Sequence, residues 1–457
     1  MNSNIISELY QERNRPQPKA LTFKPGQIFN GKILKLFPNS IATLQVGSQK
    51  VVAQLEASLV ANEKYWFQVQ SGEGKVRLKL MGKVENKGQN ETSLSGLMKE
   101  LSIPLNKENS EVIRFFLKEN FPISKDILQQ TVSLLKESSA NQAGLEAIKY
   151  LVRNELPLTK MTFQAVTEVI NKDSLIHNLQ ALQDLLLKSP LTKEGNQLLK
   201  FLDGLSSSQQ KEPFTLLGQQ ALTLEVKSSG SAVNGTIENT SSPLRDHHQL
   251  ADHLKGLMKS MGFSYEHEVA QFLKHPDGKD LLRNEQLKPL LIDFLNESST
   301  GSATEVAEKI LHKITGLQLF AQESGPIQQF VVQLPLSIWE KQMDVTIQWS
   351  GRKKENGQID PSFCRVLFYL ELENLHDTIV DMQVQNRILK ITVMNENEYI
   401  KQLAEPFIKE LKENLKRMNY TLSTVDFTHS VDRRMEENKK STSCFSSNHY
   451  SGVDVRI

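Results

Sequence analysis

Apolar and polar residues alternate along two neighbouring segments near the C-terminus. Gln385 and Asn386 form a short polar break between the two segments. Period two on both sides of such a break predicts a β-hairpin with one buried face. The apolar members of the two alternations are Val380, Met382, Val384, Leu389, Ile391 and Val393.

The pattern then changes from a period of two to helical spacing. Lys and Glu separate the apolar positions, so we expect an amphipathic helix whose apolar stripe covers one sheet face. Asn395 and Asn397 are predicted N-caps, and Pro406 predicts a kink or a restart of the helix. A return strand over 422–427 completes a β-β-α-β unit. The stripe consists of Ile400, Leu403, Phe407, Leu411 and Leu415.

Residues 21–81 show five short apolar segments separated by Gly and Pro-Asn turns. This spacing predicts a small β barrel of the OB or SH3 type. Most of its aromatic residues are expected in the core with some on the rim, and its basic residues are scattered among glutamates. We therefore predict a structural or protein-contact barrel. Nucleic-acid binding or a scaffold role of this barrel is the alternative to the function that the C-terminal domain suggests below.

Residues 94–222 are expected to be helical and contain a repeated tetrapeptide. Each copy places Pro first, an apolar residue second, Asn, Ser or Thr third, and Lys fourth. Pro ends one helix, the apolar residue packs at the corner, and the third residue caps the next helix. The second and third copies are 35 residues apart, which predicts repeated helical units that pack on their neighbours. The copies begin at Pro104, Pro122, Pro157 and Pro190.

The whole chain is thus predicted to be a multidomain α+β protein. A flexible N-terminus (1–20) precedes the barrel, and a Ser/Gly/Asn/Thr-rich linker (226–243) separates the repeat region from a second helical region (244–316). A C-terminal domain (325–430) and a disordered tail (431–457) follow.

Composition gives little support for catalysis or for a charged ligand. The formal net charge is +1, which removes any global electrostatic argument for nucleic acid or membrane binding. Two cysteines fit a reducing cytoplasm, and no apolar run approaches the roughly 18 residues of a membrane span. The N-terminus lacks the apolar core of a cleaved signal, which leaves export by an uncleaved route open.

The chain contains no Walker loop, GxSxG or HExxH motif. Its one histidine cluster, over 246–253, fits a solvated helix start better than a metal site. The sequence therefore predicts a protein that is not an enzyme and holds no cofactor or metal.

The C-terminal pattern resembles the C-terminal domain of the flagellar hook-length control family. The run Leu370-Glu371-Leu372 leads into a loop, the predicted hairpin and helix follow, and Pro406 falls where the family often carries a Pro. Two loop positions depart from the family, with Asn374 and His376 where the family has Pro and Gly. The layout of the whole chain resembles the YlqG-like proteins of Bacillus.

The resemblance implies a non-enzymatic export-control protein of the type III apparatus. Its C-terminal domain would contact the cytoplasmic domain of the export gate's switch protein, or a small homologue of that domain, and change which substrates are exported. It also implies a cytoplasmic protein, itself possible cargo of the flagellar apparatus. The predicted partner-binding residues are those around the altered loop: Glu373, Asn374, Leu375, His376 and Asp377. The densest basic run, Arg352, Lys353 and Lys354, is either solvated loop charge or, for an acidic partner, a second docking surface.

Overall fold

The structure, a computed structural model, divides the chain into two compact units, Asn2–Lys172 and Asp173–Ile457. Four predicted segments lie outside the described residues: the N-terminal segment 1–20, the linker 226–243, the histidine cluster 246–253 and the tail 431–457. The described residues are 25–46, 49–56, 59–70, 76–83, 96–99, 101–119, 121–137, 142–171, 173–188, 192–209, 254–274, 286–297, 301–321, 323–324, 327–338, 341–354 and 359–428.

The first unit begins with a closed five-stranded barrel. The strand order is β1-β2-β3-β5-β4, with β3 and β5 parallel and β1 closing on β4. This is the order of an OB barrel rather than of an SH3 barrel. Phe29, Tyr65 and Phe67 fill the interior as expected. The strands are β1 (Ile28–Phe37), β2 (Ile41–Val46), β3 (Gln49–Leu55), β4 (Lys64–Gln70) and β5 (Arg77–Lys83).

Helices follow the barrel, and the repeated tetrapeptide marks their corners. At Pro157, the preceding helix ends with Glu155 at φ 56° and a bond from Leu156 N to Leu151 O of 2.9 Å. Thr159 then caps the next helix by accepting from Thr162 N at 3.3 Å. These helices are α1 (Lys107–Lys118), α2 (Lys125–Glu137), α3 (Gln142–Arg153) and α4 (Lys160–Ile170).

The third residue of every tetrapeptide copy is a helix cap, as predicted. Asn106, Ser124 and Thr192 accept from backbone N–H groups three residues on, at 2.8, 3.4 and 3.1 Å. The second copy also joins the helices to the barrel, because Ile123 and Ile28 exchange two backbone hydrogen bonds of 2.7 and 2.8 Å. The fourth copy lies in the second unit.

The second unit packs helices against a seven-stranded sheet. Residues 254–261 are also helical. The other helices are α5 (Leu175–Lys188), α6 (Lys193–Gln209), α7 (Tyr265–Lys274), α8 (Leu287–Glu297), α9 (Ser302–Phe320) and, between the last two strands, α10 (Ile400–Arg417). The strands are β6 (Glu323–Ser324), β7 (Ile327–Ile338), β8 (Lys341–Lys353), β9 (Ile359–Leu372), β10 (His376–Gln385), β11 (Ile388–Met394) and β12 (Thr421–Thr428).

Neighbouring strands of this sheet follow chain order from β6 to β12. All neighbours are antiparallel except β11 and β12, which are parallel because α10 crosses between them. One face carries two groups of helices. Helix α5 packs over β7 and β8 and α9 over β7, α8 packs on α6 and α9, and α10 packs on β12. Leu370 packs against the core under α5 and α9, and Val380 packs against the core under α10. Leu370 pairs with Thr378, and Thr378 and Val380 are two residues apart on one strand, so all three side chains lie on the same face of the sheet.

The predicted β-hairpin is confirmed. β10 and β11 pair from Ile379–Met394 to Gln385–Ile388. Asn386 and Arg387 have φ of 52° and 62°, as a two-residue type I′ turn requires. The break is therefore Asn386-Arg387, one residue later than the polar pair seen in the sequence.

The predicted apolar stripe of α10 is wrong in part. Leu415 is buried and Ile408 packs beside it, but Leu403 and Phe407 are 54% and 56% exposed. The helix lies on the edge strand, so the sheet covers only half of its apolar arc. The helix is also continuous through Pro406, so no restart occurs there.

Neither predicted N-cap caps α10. The residue before the helix is Tyr399, which makes no side-chain cap bond. Asn397 Oδ1 accepts from Tyr399 N at 2.8 Å, and Asn395 Oδ1 accepts from Asn397 N at 2.7 Å. Both bonds span two residues, which is the geometry of Asx turns rather than of caps.

Candidate functional site

The 373–377 loop joins β9 to β10 at one end of the sheet. Glu373, Asn374 and His376 are exposed, whereas Leu375 and Asp377 are half-buried. His376 adopts a φ of 54°, a left-handed conformation in which the family's glycine would be unstrained. His376 thus holds a backbone conformation that favours glycine, and its imidazole is exposed.

A buried amide fixes the backbone of this loop. Asn395 is 1% exposed, and its Nδ2 donates to Leu375 O at 2.7 Å and to Thr378 Oγ1 at 2.7 Å. The same amide lies 3.3 Å from Asp377 O. Because a buried amide left without these partners would be costly, the loop is held in one conformation. The sequence suggested only a cap for Asn395.

Carboxylates gather around the loop. Glu371 and Asp377 are cross-strand partners, and Glu373 lies between them along the chain. Glu396 and Glu398 lie between Asn395 and the start of α10, and both are exposed. We call this region the acidic end of the sheet: Glu371, Glu373, Asp377, Glu396 and Glu398.

The opposite end of the sheet is basic. Arg352 stacks on the Phe363 ring at 5.3 Å and Arg387 on the Tyr420 ring at 5.6 Å. Lys354 lies 3.6 Å from Asp360. A hydrogen bond from Ser362 N, supported by the charge of Lys354, lowers the pKa of Asp360. We call this region the basic end: Arg352, Lys354, Arg387, Lys416 and Arg417.

The structure therefore does not bring the two predicted groups together. Lys353 pairs with Ile359, the first residue of β9, whereas the 373–377 loop begins directly after Leu372, the last residue of β9. A strand of 14 residues spans roughly 40 Å. A single small partner surface would thus contact either the loop or the basic run.

Two buried lysines elsewhere in the second unit join elements of the fold. Lys313 of α9 is 1% exposed and donates to Asp173 O at 2.8 Å. Lys288 of α8 donates to Glu266 and to Gln318, which links three helices. Burial lowers the pKa of Lys288, and Glu266 opposes that shift. Each lysine is used in packing.

The half-buried thiol of Cys364 is in the sheet, and its burial raises the pKa of the thiol and disfavours the reactive thiolate. Within the described residues, no group of three or more His, Cys, Asp or Glu side chains is placed to hold a metal ion.

The outer face of the barrel carries a second exposed surface. Phe37 is 48% and Val52 is 64% exposed. Lys35 pairs with Thr43 and Thr43 pairs with Val52, so these three side chains lie on the same face of the barrel wall. Lys50 is also exposed. One aromatic ring and two lysines thus lie along β1 to β3.

A search against known proteins gave one informative similarity. The chain is 23% identical to YlqG of Bacillus subtilis (strain 168), which is described as an uncharacterized protein, over an alignment of 541 positions with gaps counted. The alignment covers 93% of this chain and 93% of YlqG, which confirms the resemblance expected from the layout.

No family model matches the chain, and no solved structure matches it either. None of the helices in the described ranges is both long and apolar enough to cross a bilayer.

Proposed function

We propose that the chain is a non-enzymatic export-control protein whose C-terminal sheet binds the cytoplasmic domain of a flagellar export-gate switch protein or its small homologue. The resemblance to the hook-length control family motivates this role. The observation that carries it is the 373–377 loop, whose backbone is fixed by Asn395 while Glu373 and Asn374 project into solvent.

A fixed loop suits a binding site because little conformational entropy is lost when a partner binds. The acidic end supplies a negative surface, which fits a partner that presents Lys and Arg. Substrate switching would then follow from a change in the gate domain on binding.

Calorimetry with the full chain and each of the two gate domains tests the proposal. We expect binding in the micromolar range or tighter to one of them, and a loss of about tenfold with Glu373→Lys. Arg352→Glu is the matched charge reversal at the opposite end and is expected to leave affinity unchanged. No binding to either domain would reject the proposed function. A loss with Arg352→Glu alone would move the site to the basic end.

The outer face of the barrel favours a second candidate, single-stranded nucleic-acid binding. An exposed ring among lysines provides both base stacking and phosphate contact. Oligonucleotide binding that weakens steeply with salt and with Phe37→Ala would support it. Binding unaffected by Phe37→Ala would exclude this face.

A further inference from the structure

Helix α10 exposes a row of large apolar side chains. Leu403, Phe407 and Leu411 are spaced by four residues and are 54, 56 and 37% exposed, and Met418 continues the row at 41%. We call these four residues the apolar ridge. They expose on the order of 400 Å² of apolar surface, an area at which exposed patches usually mark an interaction site.

The two ends of this ridge carry opposite charge. Glu396 and Glu398 lie just before the helix at the acidic end of the sheet. Lys416 and Arg417 lie in its last turn at the basic end. A surface with this polarity is complementary to itself when it is turned around by a two-fold axis.

We infer that the ridge binds a second copy of this chain, with the two α10 helices antiparallel. With the axis at Phe407, Leu403 of each copy faces Leu411 of the other, and Phe407 faces its own symmetry mate. Glu396 and Glu398 of each copy then approach Arg417 of the other, which flanks the ridge, when the helices cross at the shallow angle of about 20° seen in helix bundles.

The area is sufficient for a reversible dimer. Two ridges bury roughly 800 Å², and the charged residues at their ends bring the total past about 1,000 Å², the lower limit for a specific interface. Area alone does not set affinity, and for an interface at this lower limit we expect a weak dimer with a Kd of about 10 µM. This inference is independent of the proposed export role.

Sedimentation equilibrium of the full chain between about 1 and 200 µM tests the dimer. We expect a reversible monomer–dimer equilibrium, and a monomer at all concentrations for Phe407→Glu. Leu273→Glu is the matched control, because Leu273 is 74% exposed on α7 of the same unit and lies off the ridge. A wild-type chain that stays monomeric throughout, or dimers that persist in Phe407→Glu, would overturn the inference.

A charge exchange tests the orientation. Acidic residues before a helix and basic residues in its last turn also stabilise the helix dipole, so a single reversal is ambiguous. Glu396→Lys/Glu398→Lys and Arg417→Glu are therefore made separately and then mixed. We expect each variant alone to be at least tenfold weaker in self-association, and the mixture to form a heterodimer. A mixture that associates no better than its components would exclude the antiparallel arrangement.

Discussion

Helices α5 and α10 have the same kind of amphipathic sequence and pack on the same sheet face, but they are covered to different extents. Most leucines of α5 are buried, including Leu179 and Leu182, and Leu187 at its C-terminal end is exposed. In α10, which the structure describes throughout, only Leu415 is buried, and it is still 9% exposed. The difference follows from position: α5 contacts α6 and α9 as well as the sheet, whereas α10 lies on the edge strand β12. Amphipathicity predicts a helix, but its neighbours decide how much of the apolar arc is covered.

The two helices also begin differently. The start of α5 is held by Asp344 of β8, which accepts from Ser174 Oγ at 2.8 Å, Leu175 N at 2.7 Å and Ile176 N at 3.3 Å. α10 begins at Ile400, and the preceding Tyr399 makes no side-chain cap bond. The sheet thus binds the first turn of α5 directly, and the start of α10 depends on Asx turns.

Truncation of a covered leucine should have the largest effect. Leu182→Ala is expected to lower the free energy of unfolding of the second unit by about 3 kcal/mol, because Leu182 is fully buried. Urea unfolding followed by fluorescence in a Trp66→Phe background reports on this unit alone, since Trp339 and Trp349 are the remaining tryptophans. A loss below about 1 kcal/mol would contradict the close packing of α5.

Removal of the carboxylate that holds α5 should have the next largest effect. Asp344→Ala is expected to cost about 2 kcal/mol, since the first turn of α5 loses its acceptor. Asp344→Asn keeps one acceptor oxygen and should cost less. Equal losses in both variants would mean that the charge, and not the acceptor geometry, holds the helix.

The pH dependence of stability shows whether the charge of Asp344 stabilises or destabilises the folded second unit. Burial raises the pKa of Asp344 from its ordinary value of 3.8, although the bonds from Ser174 and Leu175 and the charge of Lys313 oppose the shift. The folded state therefore binds the proton more tightly than the unfolded state. The stability of the wild type relative to Asp344→Asn should be highest below pH 3.8 and fall as pH rises through the raised pKa. Urea unfolding of both proteins between pH 3 and 7 measures it, and a relative stability that rises with pH would reverse the assignment.

The Asp344 contact shows where sequence reasoning ends. Asp344 and Ser174 are 170 residues apart, and no local pattern relates them. The hairpin at 386–387 and the caps at Asn106, Ser124, Thr159 and Thr192 were predictable because their causes lie within a few residues. Asn395 is intermediate: the sequence predicted a helix cap there, but its bond to Leu375 requires the sheet register. The separation of the two groups of candidate site residues likewise depends on the length of β9.

A proline inside α10 should give a smaller effect of opposite sign. Pro406 lacks the N–H that would bond to the carbonyl four residues earlier, and it lies within an otherwise continuous helix. Pro406→Ala is expected to stabilise the second unit by about 1 kcal/mol, which is less than the cost of an interior proline because the unfolded chain also gains freedom. Urea unfolding in the Trp66→Phe background measures it. A loss of stability would show that the proline ring has packing contacts that outweigh the missing bond.

Leu403→Ala should have the smallest effect on folding, and that contrast with Leu182→Ala is the most informative. Both changes remove the same side chain from an amphipathic helix on the same sheet face. Leu403 is more than half exposed, so its removal should change the free energy of unfolding by less than about 0.5 kcal/mol at concentrations where the chain is monomeric. If the ridge pairs with a second copy, the same change should weaken the dimer several-fold, because each interface loses two buried leucines. Unfolding at about 1 µM and sedimentation at about 100 µM separate the two effects, since a Kd of about 10 µM lies between them. A protein that loses stability at the lower concentration would mean that Leu403 is part of the core after all, and that α10 is covered like α5.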